Sequence, residues 1–390
     1  MTAKSRKTAI KWYAVGTDRW LLLAVVSLLV IGIIMVASSS IAIAEKYNQD
    51  PFYYLKRHLV FISLGVFLSG FMVALSTEWM NKLSRLMMVL GLIGLLLIFL
   101  PGIGVTVNGA KRWINLGISR FQVVEAVKLA LILYLAGYVV RQKMSLQNSM
   151  FGVMKPLLLV VVVALLLLMQ PDFGSAVLLM IMTLFMIFLA GARYRDLSII
   201  SLVAASAMAV IAWAEPYRVK RLVNFIDPWA DPYNAGFQLV QALIAVGRGE
   251  FGGVGIGGSV QKLFYLPEAH TDFIFAVYAE EFGFFGVMVL IGLFILLIYR
   301  MFVESKKAFA HGNEFAGYAS AGIGTWLALQ ALLSMGVNLG MLPTKGLTLP
   351  FISSGGSAIM INIVAVAVVL RIAYENRRAD LKAIRTRGAS

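Results

Sequence analysis

Residues 156–191 read Pro-Leu-Leu-Leu-Val-Val-Val-Val-Ala-Leu-Leu-Leu-Leu-Met-Gln-Pro-Asp-Phe-Gly-Ser-Ala-Val-Leu-Leu-Met-Ile-Met-Thr-Leu-Phe-Met-Ile-Phe-Leu-Ala-Gly, and Asp172 carries the one charge in the stretch. Two apolar runs, 156–170 and 174–191, meet at the tight Gln170-Pro171-Asp172-Phe173-Gly174 turn, where proline and glycine interrupt any helix. The first run is short, so the pair reads either as two spans or as one broken helix. Both readings place it in hydrocarbon.

Outward from this stretch, apolar runs able to cross about 30 Å of hydrocarbon lie near 20–44, 58–76, 83–101, 121–140, 196–214, 273–301, 316–340 and 348–371. Together they predict an all-α polytopic membrane protein of ten transmembrane helices. Composition agrees, since 60% hydrophobic and 14% charged residues with a mean hydropathy of +0.85 lie far from soluble domains. An even count of spans puts both termini on one side of the membrane.

Basic residues choose the side, because Lys and Arg in short loops are retained in the cytoplasm. With the termini cytoplasmic, 21 basic residues fall inside and 12 outside, five of the latter within one long loop. The expected organisation is a cytoplasmic tail at 1–19, a transmembrane domain at 20–372 with an extracytoplasmic loop at 215–272, and a basic cytoplasmic tail at 373–390. The net charge of +15 then reflects topology and contact with anionic membrane lipids rather than nucleic acid. Lys4, Arg6, Lys7 and Lys11 precede an apolar run too long for a cleaved signal peptide.

The chain has no cysteine and three histidines, His58, His270 and His311, none paired at i, i+4. Thiolate chemistry, disulfides and histidine-rich metal sites are therefore not expected, and a metal would have to be bound by oxygen. Two long glycine-rich matches, Gly247-Arg-Gly249-Glu-Phe-Gly252 and Gly253-Val-Gly255-Ile-Gly-Gly258, follow no strand and open no βαβ unit, so nucleotide binding is rejected. Bare backbone approaching a neighbouring element or a substrate is the better reading.

The external face is built from a basic segment at 102–120, including Lys111-Arg112-Trp113, and from the 58-residue loop 215–272. That loop carries Trp229, Tyr233 and Phe237 and an amphipathic stretch, which suits a folded surface segment. It ends in Leu263-Phe-Tyr-Leu-Pro-Glu268-Ala-His270-Thr-Asp272, at the mouth of the eighth span. Ionisable groups are costly in hydrocarbon and cheap in water, so this boundary suits a substrate that is half lipid and half polar.

Each candidate also has a plainer explanation. Glu125 and Lys128 share a helix face at i, i+3 and could simply neutralise each other. Arg112 could be solvated or could clamp a phosphate, Asp172 could cap a helix, Lys345 could snorkel, and His270 could hydrogen-bond at a helix start. Glu280 and Glu281 sit two turns into the eighth span, where they need a partner or a polar groove. As a set, the acids Asp172, Glu268 and Asp272 with the bases Arg112, Arg218, Lys220 and Lys345 suit an anionic, lipid-linked substrate. Cations would hold its phosphate while a carboxylate deprotonates a hydroxyl nucleophile.

Several long motifs, in one order, resemble the SEDS family of cell-wall polymerases across nearly the whole chain. They are Trp113-Ile-Asn-Leu-Gly117 after Lys111-Arg112, Gln170-Pro-Asp-Phe-Gly174, Tyr265-Leu-Pro-Glu-Ala-His-Thr-Asp-Phe273, Glu280-Glu281-Phe-Gly283, and Leu342-Pro-Thr-Lys-Gly-Leu-Thr-Leu-Pro-Phe-Ile-Ser-Ser-Gly-Gly-Ser357. Thr344-Lys345 and Ser353-Ser354 are similar to division members of the family rather than elongation members. The resemblance implies an inverting peptidoglycan glycosyltransferase of the inner membrane, polymerising lipid II at the division septum with undecaprenyl pyrophosphate leaving. The implied partners are a class B penicillin-binding protein and other divisome membrane proteins.

The same resemblance makes Asp272 the general base that takes the proton of the acceptor sugar hydroxyl. It assigns Arg112, Lys128 and Lys345 to the pyrophosphate or to the shape of the cavity, with Glu268, His270 and Asp172 at the substrate. No cofactor is fixed, and a divalent cation, Mg or Mn, on the leaving group stays open. This chain has Gln122-Val123-Val124-Glu125 where the family pattern has a proline, and a valine there is expected to loosen the helix start. Phe264 stands where some members carry an acid. A lipid II flippase and a non-catalytic divisome scaffold are the alternative readings; a transporter should carry matched broken helices in two halves, and only the fifth and sixth spans hint at one.

Overall fold

The computed structural model describes residues 18–107, 109–115, 120–213, 219, 223, 225–234, 236–343 and 346–387. Lys345, Arg218 and Lys220 lie outside them. The helices are α1 (Arg19–Asn48), α2 (Tyr53–Ala74), α3 (Thr77–Leu97), α4 (Val123–Arg141), a short α5 (Lys143–Asn148), α6 (Met150–Met169), α7 (Phe173–Leu189), α8 (Tyr194–Trp213), α9 (Phe237–Arg248), α10 (Ile274–Ala310), α11 (Glu314–Asn338) and α12 (Gly356–Arg387). Among the described residues nine helices are long and apolar enough to cross a membrane. With α7, 17 residues and about 25 Å long, they give the ten expected spans and a polytopic membrane protein.

The 156–191 stretch is two helices packed side by side, which settles the choice between two spans and one broken helix. The fifth span starts at Met150, earlier than the apolar run, with Pro156 inside it. Proline cannot donate to the carbonyl of Gly152, and the hydroxyl of Tyr138 on α4 donates there instead, at 2.8 Å. Ser149 caps α6, and Asp172 caps α7.

Three further expectations are corrected. The basic segment at 102–120 contains a three-stranded antiparallel sheet, β1 (Gly104–Val107), β2 (Ala110–Asn115) and β3 (Arg120–Gln122), in the order β1-β2-β3. Its short alternating strands were hidden by glycine-rich turns. The tenth span begins at Gly356 rather than at 348, because Pro350, Phe351 at φ 65° and Gly355 prevent a helix earlier. The helix α12 then continues to Arg387, through most of the expected basic tail.

The helices α4, α11 and α12 form the buried centre, whereas α8 lies almost wholly on the outside. On the side of the termini, Arg300 of α10 donates to Asp18, the cap of α1, at 2.8 Å. Lys307 pairs with Glu304 at 2.7 Å, and Asn376 of α12 donates to the same carboxylate at 2.9 Å. These contacts tie α1, α10 and α12 together at one end and leave the opposite end to the loops.

Candidate active site

The segment before α10 folds into a compact turn. Glu268, at φ 57°, offers its carbonyl to the amides of Thr271 at 3.1 Å and Phe273 at 3.2 Å. Its carboxylate accepts from the hydroxyl of Thr271 at 2.6 Å, which folds Glu268 back onto its own turn. Two outside elements fix the far end. Asn338 of α11 donates to the carbonyl of Asp272 at 3.0 Å and accepts from the amide of Ala276 at 3.1 Å. Ser353 donates to the carbonyl of Thr271 at 2.7 Å, and the amide of Ser354 donates to the carbonyl of His270 at 3.0 Å.

Asp272 is thereby held half-buried at the top of α10 through its backbone. The backbone of Gly346 passes beside its carboxylate: a β-carbon there would lie 3.2 Å from Asp272 Oδ2. The neighbour of Lys345 therefore reaches the acid directly. His270 packs its ring on Tyr54 of α2 at 4.6 Å, and burial pushes its imidazole below the ordinary value, with the carboxylate of Glu268 pulling part of the way back.

Beneath this turn lies a buried polar interior. Lys128 is fully enclosed and donates to Glu125 at 2.8 Å and to Gln330 of α11 at 3.1 Å, with the Trp326 ring 5.5 Å away. Gln330 in turn donates to the carbonyl of Thr348 at 3.0 Å. The pairing of Glu125 with Lys128 is thus real, and it also braces the 346–355 segment that carries Gly346 and Ser353. Glu125 Oε2 and His270 Nδ1 are buried with no hydrogen-bond partner among the described residues.

Arg112 and Asp172 belong to a second cluster. Arg112 of β2 donates to the carbonyls of Gln170, at 3.1 Å, and Pro171, bolting the sheet to the α6–α7 turn. These bonds use two of the five guanidinium donors. Asp172 accepts from the amide of Ser175 at 3.2 Å and from its hydroxyl at 2.8 Å, and is buried. Lys111 donates to the carbonyls of Phe99 and Leu100 at 3.2 and 3.3 Å, just past the end of α3. The start of α4 after Gln122, where the proline is missing, is held by strand β3 and by a bond of 3.2 Å from the Gln122 amide to Ser357.

The glycine-rich matches pack against a break in α10 at Gly283, whose φ is 64° and ψ −166°. A β-carbon on Gly249 would lie 2.0 Å from the carbonyl oxygen of Ala279, and one on Gly253 would lie 2.2 Å from that of Glu281. Close backbone approach is what these glycines permit. The two acids at the break are held from that loop and from α1: Glu280 by Arg248 at 3.1 Å, and Glu281 Oε1 by Lys262 at 2.7 Å and by Ser38 of α1 at 2.6 Å, while Glu281 Oε2 is buried with no hydrogen-bond partner among the described residues.

Sequence reasoning missed Asn338, Gln330, Ser353 and Ser38 as organisers of the site. Asn338, Gln330 and Ser38 are polar residues inside otherwise apolar spans, which is the signal that marks them.

Ten apolar helices around a buried polar interior, with an acidic turn at its mouth, define an α-helical polytopic membrane protein. More narrowly, the chain belongs to the FtsW, RodA and SpoVE family of cell cycle proteins, whose model matches residues 19–378. A probable peptidoglycan glycosyltransferase FtsW of Legionella pneumophila is 48% identical over 364 residues, covering 93% of this chain and 92% of that protein. One of the same description from Coxiella burnetii is 45% identical, covering 95% and 99%. A chain from a peptidoglycan synthase complex, solved to show how polymerization and crosslinking are coordinated, superposes with a TM-score of 0.76 at 28% identity, covering 93% of this chain and 98% of that one. The rod shape determining protein RodA of Thermus thermophilus gives 0.67, also at 28% identity and with the same coverage.

Proposed function

We propose that this peptidoglycan glycosyltransferase polymerises lipid II into glycan strands at the division septum, with Asp272 as its general base. The observation that carries the proposal is the clamp on Asp272. Three bonds from α11 and the 353–354 turn fix the backbone of 270–272, so the carboxylate stands at the membrane boundary, beside the Gly346 backbone, in one place. Such positioning is what a base needs in order to meet a hydroxyl within hydrogen-bonding distance.

The acceptor sugar oxygen bonds to the anomeric carbon of the donor, its proton passes to Asp272, and the bond to undecaprenyl pyrophosphate breaks on the opposite side, inverting the centre. Arg112 and Lys345 serve the pyrophosphate, and Lys128, being enclosed, shapes the cavity through Gln330. Glu268 and His270 frame the acceptor side, while Asp172 fixes the turn that Arg112 grips. A divalent cation, Mg or Mn, enters this scheme only with the pyrophosphate oxygens, which suit hard ions. A class B penicillin-binding protein and further divisome membrane proteins are the proposed partners, in the inner membrane, with the termini cytoplasmic.

The transporter reading calls for paired broken helices. The α6–α7 junction is a turn between two spans, so the break at Gly283 has no counterpart there. The deciding experiment is polymerisation of purified lipid II by the protein with its penicillin-binding partner, wild type against Asp272→Asn, beside a lipid-flipping assay. Product from wild type alone supports the proposal. Equal product from both removes Asp272 as the base; flipping without any product moves the transporter ahead, and normal cell division with Asp272→Asn moves the scaffold ahead.

A further inference from the structure

The three-stranded sheet lies across the external end of the bundle rather than along its flank. Lys111 reaches the carbonyls just past α3, Arg112 the α6–α7 turn, and the amide of Gln122 the first turn of α12, while β3 runs straight into α4. Its two faces are unlike. Ile114 and Phe121, paired across β2 and β3, pack on the core. Because side chains alternate along a strand, the neighbouring pairs, Trp113 with Gln122 and Asn115 with Arg120, stand on the opposite face, turned away from the bilayer.

That outer face has the chemistry that sugars require. Trp113 and Gln122 are half-buried, and Asn115 and Arg120 are exposed. A pyranose ring presents C–H groups on one side, which stack on an indole, and hydroxyls and amides round its rim, which carboxamides meet as both donors and acceptors. Charge fits as well: residues 104–122 hold Lys111, Arg112 and Arg120 and no acid, and peptidoglycan stem peptides carry carboxylates. The face also begins close to the reacting centre. Ser357, which accepts from Gln122, is four residues from Ser353, which clamps Thr271, so one segment no more than about 14 Å long braces both β3 and the acidic turn.

We propose that the Trp113 face of the sheet is a product subsite that holds the glycan strand already made. Sugar rings stack on Trp113, their amides and hydroxyls meet Asn115 and Gln122, and a stem-peptide carboxylate sits at Arg120. Holding the strand keeps it at the site between additions and so favours long products. The inference rests on the polymerase reading for its ligand and extends that reading from the reacting atoms to the polymer.

Binding of soluble, lipid-free, uncrosslinked peptidoglycan strands to the full chain in nanodiscs tests it. Asp272→Asn should bind them as wild type does, so that a failed general base and a failed subsite are told apart. Trp113→Ala should weaken binding by about 3–10-fold and shorten the strands made from lipid II, whereas Trp113→Phe keeps most of both. Arg120→Gln changes an exposed side chain and serves if the alanine variant does not fold; it should weaken strands that carry stem peptides and leave peptide-free strands unaffected. No binding by wild type, or unchanged binding in both Trp113→Ala and Arg120→Gln, overturns the proposal. So does displacement of the strand by lipid II at equal concentration, which would give the face to the substrate. A spin label on Arg120→Cys, in a chain with no other cysteine, should be reached by a water-soluble relaxation agent; if only lipid-dissolved oxygen reaches it, the face is an aromatic anchor in the headgroups and the proposal falls.

Discussion

Two aspartates stand just before transmembrane helices, and the fold gives them opposite work. Asp172 precedes α7 and spends both oxygens on Ser175, buried inside its turn. Asp272 lies two residues before Ile274, the first residue of α10, where Asn338 of α11 accepts from the first-turn amide of Ala276 and holds the aspartate by its carbonyl. A carboxylate that caps a helix is fixed by its own oxygens and is lost to chemistry. The backbone of Asp272 is instead fixed by a neighbouring helix, which sets where its side chain starts.

The sharpest way to break this comparison is to neutralise each acid in turn. Asp272→Asn should lower lipid II polymerisation by about 10²–10⁴-fold, the usual worth of a general base, with thermal stability in detergent unchanged. Asn338→Leu comes next. It removes both bonds that clamp Asp272 and Ala276, and the resulting misplacement should cost roughly 10–100-fold in kcat with little change in KM. If Asn338→Leu retains full polymerisation, backbone clamping is not what positions the acid.

Asp172→Ala should act on stability instead, by about 1 kcal/mol of helix capping, and leave most of the polymerase rate intact. A loss of rate as large as that of Asp272→Asn would erase the distinction between the two acids. The smallest effect concerns His270, whose imidazole is pushed below its ordinary value of 6.5 mainly by burial. Because the unfolded chain binds this proton more readily, the stability it contributes is present above about pH 6.5 and is lost as pH falls toward the depressed folded value. His270→Phe should therefore flatten the acid side of a plot of thermal stability against pH, and an unchanged slope below pH 6.5 would show that His270 does not titrate there.

The number of spans was legible because hydrocarbon thickness sets the length of an apolar run, and the positions of Glu268, His270 and Asp272 at a span boundary were legible because charge avoids the bilayer core. The same approach placed Asp172 and Arg112 beside the substrate with Asp272. The structure joins these two at a bracket between β2 and the α6–α7 turn, Arg112 on the turn's carbonyls and Asp172 on Ser175. Nothing local distinguishes the two aspartates, since each follows a proline-containing turn and opens an apolar helix. The sheet at 104–122 was missed because strands of three to six residues, broken by glycine, carry too few alternations to read.

By itself the amino-acid sequence determined a membrane protein of ten spans, the side on which its polar loops gather, and a glycine-rich loop built for close backbone contact. These depend on solvation and on local geometry, which act residue by residue. Tertiary structure alone decided that Asp272 is clamped by Asn338, that Lys128 braces Gln330 and Thr348 from an enclosed position, and that the glycines seat against the break at Gly283. Those outcomes depend on partners 18 to more than 200 positions away along the chain, so no window of sequence contains them.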